Sequence, residues 1–238
     1  REEREKEHKE KDEGVPQGGP LSPLLANILL DELDHELEKR GHKFVRYADD
    51  FVILCRSLRA GKRILQSITK YLADELKLTV NQTKSQVVKL RDASFLGFKI
   101  VRRKIWWTEK SSEKFKQRIR EVTKRTRGSS PTKVTSELRM YVRGAMNYYG
   151  MGMKHAEARD LDSWMRSRMR LYYWKQWGRP RTRRRKLLRL GIGRGEVHKV
   201  SRSRKGPWRI SHNSIVHRAM TLEWLGAQGL PSIEKQWN

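Results

Sequence analysis

The chain has 238 residues, 36% hydrophobic and 34% charged, with 54 Lys+Arg against 27 Asp+Glu and a net charge of +27. That length suits one large domain or two small ones, and the charge points to a polyanion partner, nucleic acid before anionic membrane. The longest apolar stretch, Leu21 to Leu30, is too short to span a bilayer and contains Ser22, Pro23 and Asn27, so no membrane span is expected.

Residues 1–13, REEREKEHKEKDE, form a charged leader to which no chemistry is assigned. GVPQGGPLSP (14–23) packs three glycines and three prolines into a shaped loop. Ser22-Pro23 then reads as an N-cap with proline at the first helical position. Ala26, Leu30, Leu33 and Leu37 mark one buried helix face that ends near Gly41. A hairpin follows, then a second amphipathic helix from about Gly61 with Ile64, Ile68, Leu72 and Leu76 inward. KLTVNQTKSQVVKL and SFLGFKIVRRKIWW are expected to be short strands with turns. The only cysteine, Cys55, rules out a disulfide within the chain and a cysteine-based zinc module; after an apolar strand it reads as a buried small side chain.

Composition shifts near Lys110 to basic helices. One carries Phe115, Ile119 and Val122 on one face; the next starts at Ser130-Pro131 and bears Val134, Leu138, Tyr141, Ala145 and Tyr148; a third runs from about Ala156 to Trp177 with Leu161, Met165 and Tyr172 inward. Tyr141, Tyr148, Trp164 and Tyr172 read as core rather than ligand platform. The remainder is a basic tail suited to a phosphate backbone, with Arg179, Arg181, Arg183, Arg184, Arg185, Lys186, Arg204 and Lys205 as candidate contacts, joined by Arg118 and Arg125. The fold class is therefore α+β: an antiparallel sheet with packed helices, then an all-α three-helix bundle and a basic tail. The expected divisions are 1–13, 14–108, 109–178 and 179–238.

FVRYADDFVIL (44–54) sets two adjacent carboxylates between apolar runs in a strongly cationic chain. One reading is a solvated turn, in which Asp is common. The other is a divalent-metal site, because hard Mg2+ takes carboxylate oxygens. In a regular strand Asp49 and Asp50 would point to opposite faces, so a distorted turn is needed for both to reach metal.

PQGGPLSPLLANI, VRYADDFVI, LKLTVNQTKS and FLGF occur in this order, followed by a helical region and SRKGPWRISHNSIVHRAMTLEWLGAQGLPSIEKQW. Together these segments resemble the later part of a reverse transcriptase palm with the thumb/maturase region of proteins encoded by bacterial group II introns. The resemblance implies an RNA-directed DNA polymerase, a nucleotidyltransferase of a mobile element, that also promotes RNA splicing. It implies two Mg2+ ions, with Asp49 and Asp50 as ligands and Lys84 meeting the triphosphate or the pyrophosphate leaving group. Pro16, Gln17, Gly18 and Gly19 would line the incoming nucleotide, Tyr47 and Ala48 the primer end, and Phe95, Leu96 and Gly97 the strand turn that grips the primer. Partners would be group II intron RNA, an RNA template with a DNA primer, and dNTPs, in the bacterial cytoplasm and off the membrane.

The family's first metal-binding aspartate lies on a strand well before the PQGG segment, and here Asp12 alone precedes it, in a charged run. This chain by itself is accordingly expected to lack polymerase activity, as either a truncated product or one half of a split enzyme whose separate amino-terminal partner brings the rest. The alternative is a non-catalytic, maturase-like RNA-binding protein that assists intron folding. The helical region and tail argue against a further reading, a reverse transcriptase of a defence or diversity-generating system, and a last one, an unspecialised basic RNA-binding protein, predicts that Asp49→Ala leaves metal binding unaltered.

Overall fold

The computed structural model describes residues 20–237, in two compact units that divide after Ala93. The charged leader and Pro16, Gln17, Gly18 and Gly19 lie outside the described residues.

The first unit runs α1 (Ser22–Lys39), β1 (Lys43–Tyr47), β2 (Asp50–Leu54) and α2 (Leu58–Asp74). Leu30, Leu33 and Leu37 bury one stripe of α1, and Ile68 and Leu72 one stripe of α2, with Leu76 just beyond it. Helix α2 starts where the Ser57 side chain accepts from the Ala60 N–H. The α1 stripe begins later than the sequence spacing suggests: Ala26 is exposed, as are Leu24, Leu25 and Ile28 around it. The β1–β2 pair is antiparallel, with Phe44 opposite Ile53, Arg46 opposite Phe51 and Tyr47 opposite Asp50. Phe44, Phe51 and Ile53 pack on the helical core, whereas Val45, Tyr47 and Leu54 are exposed.

Two expectations for this unit fail. KLTVNQTKSQVVKL contains no strand, because Asn81 builds a turn in its middle: its Oδ1 accepts from the Thr83 and Lys84 N–H groups. Only Leu78 and Val80 of that run reach the core. Cys55 is exposed rather than buried, since it lies just past the last residue of β2 as the chain turns toward α2.

The second unit opens with a three-stranded antiparallel meander, β3 (Ser94–Phe95), β4 (Phe98–Val101) and β5 (Lys104–Trp107). Then come α3 (Glu109–Val122), α4 (Pro131–Tyr149) and α5 (His155–Gln176). Thr108 and Ser130 cap α3 and α4 through their side-chain oxygens. Phe115, Ile119 and Val122 of α3 are buried, as are Leu161, Met165 and Tyr172 of α5. The inward stripe of α4 is Val134, Leu138, Val142 and Met146. Tyr141 and Ala145 are only partly buried and Tyr148 is 47% exposed, so the tyrosines of α4 sit beside the core stripe and not in it.

The stretch read as a tail is folded. It forms α6 (Pro180–Arg189), α7 (Arg194–Ser201), α8 (Pro207–Ser211), α9 (Ser214–Ala219), α10 (Leu222–Ala227) and α11 (Ile233–Gln236). One buried side chain or more from each, among them Leu187, Val197, Ile210, Val216, Leu225 and Ile233, joins the core of α3–α5. The buried Asp162 carboxylate of α5 secures the last of them, accepting from the Ile233 N–H at 2.8 Å and the Ser232 hydroxyl at 2.7 Å.

Candidate functional site

The two carboxylates of the sequence motif sit where β1 turns into β2. Because Tyr47 pairs with Asp50, the connection has two residues, Ala48 and Asp49. Ala48 has φ +54°, and Asp49 is not among the positive-φ residues. Positive φ at the first central position alone is the mark of a type II′ turn, which matches strand twist but ordinarily wants glycine there. A β-carbon in that conformation costs on the order of 1–2 kcal/mol. Asp49 thus leaves the strand alternation while Asp50 begins β2, and Tyr47, Ala48, Asp49 and Asp50 are all exposed at this end of the hairpin.

Arg46 holds that turn. It lies on the helix-facing side of β1, with only 13% of its side chain exposed, where the strand pattern would otherwise place an apolar residue. Its Nε and Nη2 fork onto the Asp34 carboxylate of α1 at 2.8 and 2.5 Å. Its Nη1 donates to Asn27 Oδ1 at 2.9 Å and to the Ala48 carbonyl at 3.1 Å. The Asp34 carboxylate raises the Arg46 pKa further above its ordinary value, outweighing partial burial. Sequence reasoning passed over Arg46, Asn27 and Asp34. The available signal was a charged residue in phase with Phe44 on a strand whose inner face is otherwise apolar.

Lys84 is exposed in the Asn81 turn, where its backbone N–H is bound. Among the described residues no three His, Cys, Asp or Glu side chains gather to hold a metal ion. Two neighbouring exposed carboxylates nevertheless fit Mg2+, which is commonly held by one or two carboxylates with waters and substrate phosphates completing the octahedron.

In the second unit, Leu96 and Gly97 form the two-residue β3–β4 turn, both with positive φ, +51° and +80°. This is the type I′ pattern. The turn is gripped from the helical side. Tyr148 of α4 donates its hydroxyl to the Leu96 carbonyl at 3.0 Å. The Ser111 hydroxyl and the Thr108 N–H both donate to the Gly97 carbonyl, at 3.0 and 2.8 Å. Phe95 is partly buried, and Phe98 packs against Tyr148 and Tyr149.

The cationic surface is uneven. Residues 179–209 hold ten Arg and three Lys against a single acid, Glu196, which pairs with Arg218. Arg179, Arg181, Arg184, Arg185, Arg204 and Lys205 are exposed, and Lys186 is partly so. Arg183 is placed differently: its guanidinium lies over the Trp174 ring, 4.7 Å from the centroid, with its Nε buried. Arg125 is exposed, and Arg118 is paired with Glu121 at 3.2 Å. The β4–β5 turn adds Arg102 and Arg103, both exposed and both at positive φ, which sequence reasoning did not single out.

Residues 1–100 match the family model described as reverse transcriptase (RNA-dependent DNA polymerase), and residues 112–191 match the group II intron, maturase-specific domain. Among curated proteins, the Escherichia coli K12 Protein YkfC is 30% identical over 127 residues, covering 39% of this chain and 33% of that protein. The putative COX1/OXI3 intron 2 protein of Saccharomyces cerevisiae is 27% identical over 145 residues, 37% of this chain and 17% of that protein. The Retron Ec86 reverse transcriptase of E. coli is 39% identical over 49 residues, 19% of this chain and 15% of that protein. The chain thus spans a third or less of the length of these relatives. A reverse transcriptase segment followed in order by a group II intron maturase domain, with an intron protein among the relatives, supports a reverse transcriptase/maturase of group II intron type.

Proposed function

We propose that this chain is the later palm and the maturase part of an RNA-directed DNA polymerase that binds its group II intron RNA, promotes splicing and copies RNA into DNA. The observation that carries the reading is the Ala48-Asp49 turn, which sets two adjacent carboxylates, exposed, at the end of a buttressed hairpin. Asp49 and Asp50 would hold Mg2+, with a further carboxylate of the complete polymerase. Bound there, Mg2+ supplies the positive charge that offsets developing charge on the attacking and leaving oxygens of nucleotidyl transfer.

The chain's own residues would do the rest. Tyr47, on the open face opposite Asp50, would lie against the primer end with Ala48. Lys84, exposed beside Asn81, would meet the triphosphate and give a proton to the departing pyrophosphate. Pro16, Gln17, Gly18 and Gly19 would line the nucleotide. The Phe95-Leu96-Gly97 turn would steady the primer strand, with its carbonyls held inward by Tyr148, Ser111 and Thr108. The exposed cations of residues 179–209 would clamp intron RNA by phosphate contact. No described helix is long and apolar enough to cross a membrane, and work on intron RNA places the protein in the bacterial cytoplasm.

The test is primer extension on an RNA template by the full-length protein that contains this chain. Asp49→Asn should cut Mg2+-dependent extension by a factor on the order of 10³ or more, with RNA binding kept. Extension indifferent to Asp49→Asn removes the polymerase reading. Splicing that survives while wild-type extension is absent favours the second reading, an RNA-binding maturase, which the thirteen-to-one excess of cations over acids at 179–209 also supports.

A further inference from the structure

The turn that carries Asp49 is strained, and something must select it. A two-residue hairpin turn has a close alternative, type I′, in which both central residues have positive φ. The two forms differ chiefly in the orientation of the central peptide, here the one joining Ala48 to Asp49. In a trans peptide the C=O and N–H point in opposite directions, so a bond to the carbonyl also aims the following N–H. The Ala48 carbonyl is the group that Arg46 Nη1 grips at 3.1 Å.

Arg46 is itself immobilised. Two of its nitrogens are forked on Asp34, and the third is shared between Asn27 and the turn. Asn27 and Asp34 are seven residues apart, two turns of α1, and so share one face of that helix. The helix is anchored in turn by Leu30, Leu33 and Leu37 in the core. A rigid chain of contacts therefore runs from the core, through α1 and the guanidinium, to the peptide immediately before Asp49.

We propose that Arg46, seated on Asp34 and Asn27, is a positioning residue that selects the turn conformation in which Asp49 and Asp50 serve one metal site. It touches neither metal nor substrate; it acts through the Ala48 carbonyl. The inference rests on the Mg2+ reading of those two carboxylates. Lysine cannot replace arginine here, because an ammonium cannot fork onto Asp34 and reach Asn27 and the turn at once.

The experiment uses the whole chain, with NMR for the turn and Mn2+ alone as the metal probe, followed by electron paramagnetic resonance. Positive φ brings a residue's Hα and amide proton close; in the observed turn only Ala48 has it, whereas in type I′ residue 49 has it too, so the wild type should show a strong intraresidue NOE at Ala48 and a weak one at Asp49. Arg46→Lys should strengthen the Asp49 intraresidue NOE, keep the Val45–Val52 cross-strand contacts, and bind Mn2+ about tenfold or more weakly, as loss of an outer-shell partner does. An unchanged Asp49 NOE, or an unchanged Mn2+ affinity after that NOE strengthens, overturns the proposal. If Arg46→Lys does not fold, Asn27→Ala leaves the Asp34 fork intact and carries the same test, with a change in the same direction but smaller than that of Arg46→Lys. Asp49→Asn separates the two ideas: if it leaves Mn2+ binding unchanged, the metal reading fails, while the intraresidue NOE at residue 49 still reports whether Arg46 sets the turn.

Discussion

Replacing Gly97 by alanine should destabilise the second unit through two separable effects. Gly97 has φ +80°, a region that costs a residue with a β-carbon about 1–2 kcal/mol. The added β-carbon would also stand 2.7 Å from Ser111 Oγ and 3.1 and 3.2 Å from the Tyr149 hydroxyl and ring. Ser111 cannot swing aside freely, because its hydroxyl donates to the Gly97 carbonyl and lies 3.0 Å from Thr108 Oγ1. Overpacking of this kind costs about 1–3 kcal/mol. The expected total is about 2–5 kcal/mol, a fall in melting temperature on the order of 10 °C for a unit of this size. The assay is thermal and urea unfolding of the single variants and of Gly97→Ala/Ser111→Ala. Removing Oγ relieves the closest contact, so the double variant should be less destabilised than the sum of the singles by about 1 kcal/mol or more. A Gly97→Ala cost under about 0.5 kcal/mol, or strict additivity in the pair, would refute the reasoning.

Arg184→Ala with Arg185→Ala should flatten the log–log salt dependence of RNA binding by about 1.4–1.8, since each phosphate contact contributes roughly 0.7–0.9 to the slope. Arg183→Ala, which removes a cation stacked on Trp174, should leave that slope unchanged and lower stability instead, by about 0.5–2 kcal/mol. His217 gives a pH signature. Burial first, then the Arg170 charge with Nη1 3.4 Å from its Nε2, holds its pKa below the ordinary 6.5. Protonation therefore favours the unfolded chain, so stability should be full above pH 6.5 and decline as pH falls toward the folded-state value. Calorimetry of the wild type against His217→Gln between pH 7.5 and 5 checks this, and a pH dependence identical in both would exclude His217 as its source.

Local patterning made much of the chain legible. The stripes Phe115–Ile119–Val122 and Leu161–Met165–Tyr172 needed only the 3.6-residue period, and each is buried. The Ala48-Asp49 connection and the β3–β5 meander were readable because β-branched and aromatic runs alternate with short polar or glycine-bearing turns. The ordered segments PQGG, YADD and FLGF, with the helical region beyond, carry the resemblance to the family, because chemistry at a site requires particular residues at fixed places in the chain.

What the sequence determined by itself was therefore the class of fold, the family resemblance and the adjacent pair of aspartates. Tertiary structure decided the rest, because the deciding forces act between residues far apart in the chain. The strand lost at 77–90 is the local exception: Asn81 turns the chain by binding N–H groups only two and three residues on. The cationic stretch after Arg179 is no loose tail, because its scattered apolar side chains find a core supplied by α3–α5. Arg46 looked like one more cation among 54, and its role depends on partners 12 and 19 residues earlier that only packing of α1 beneath the hairpin brings within reach.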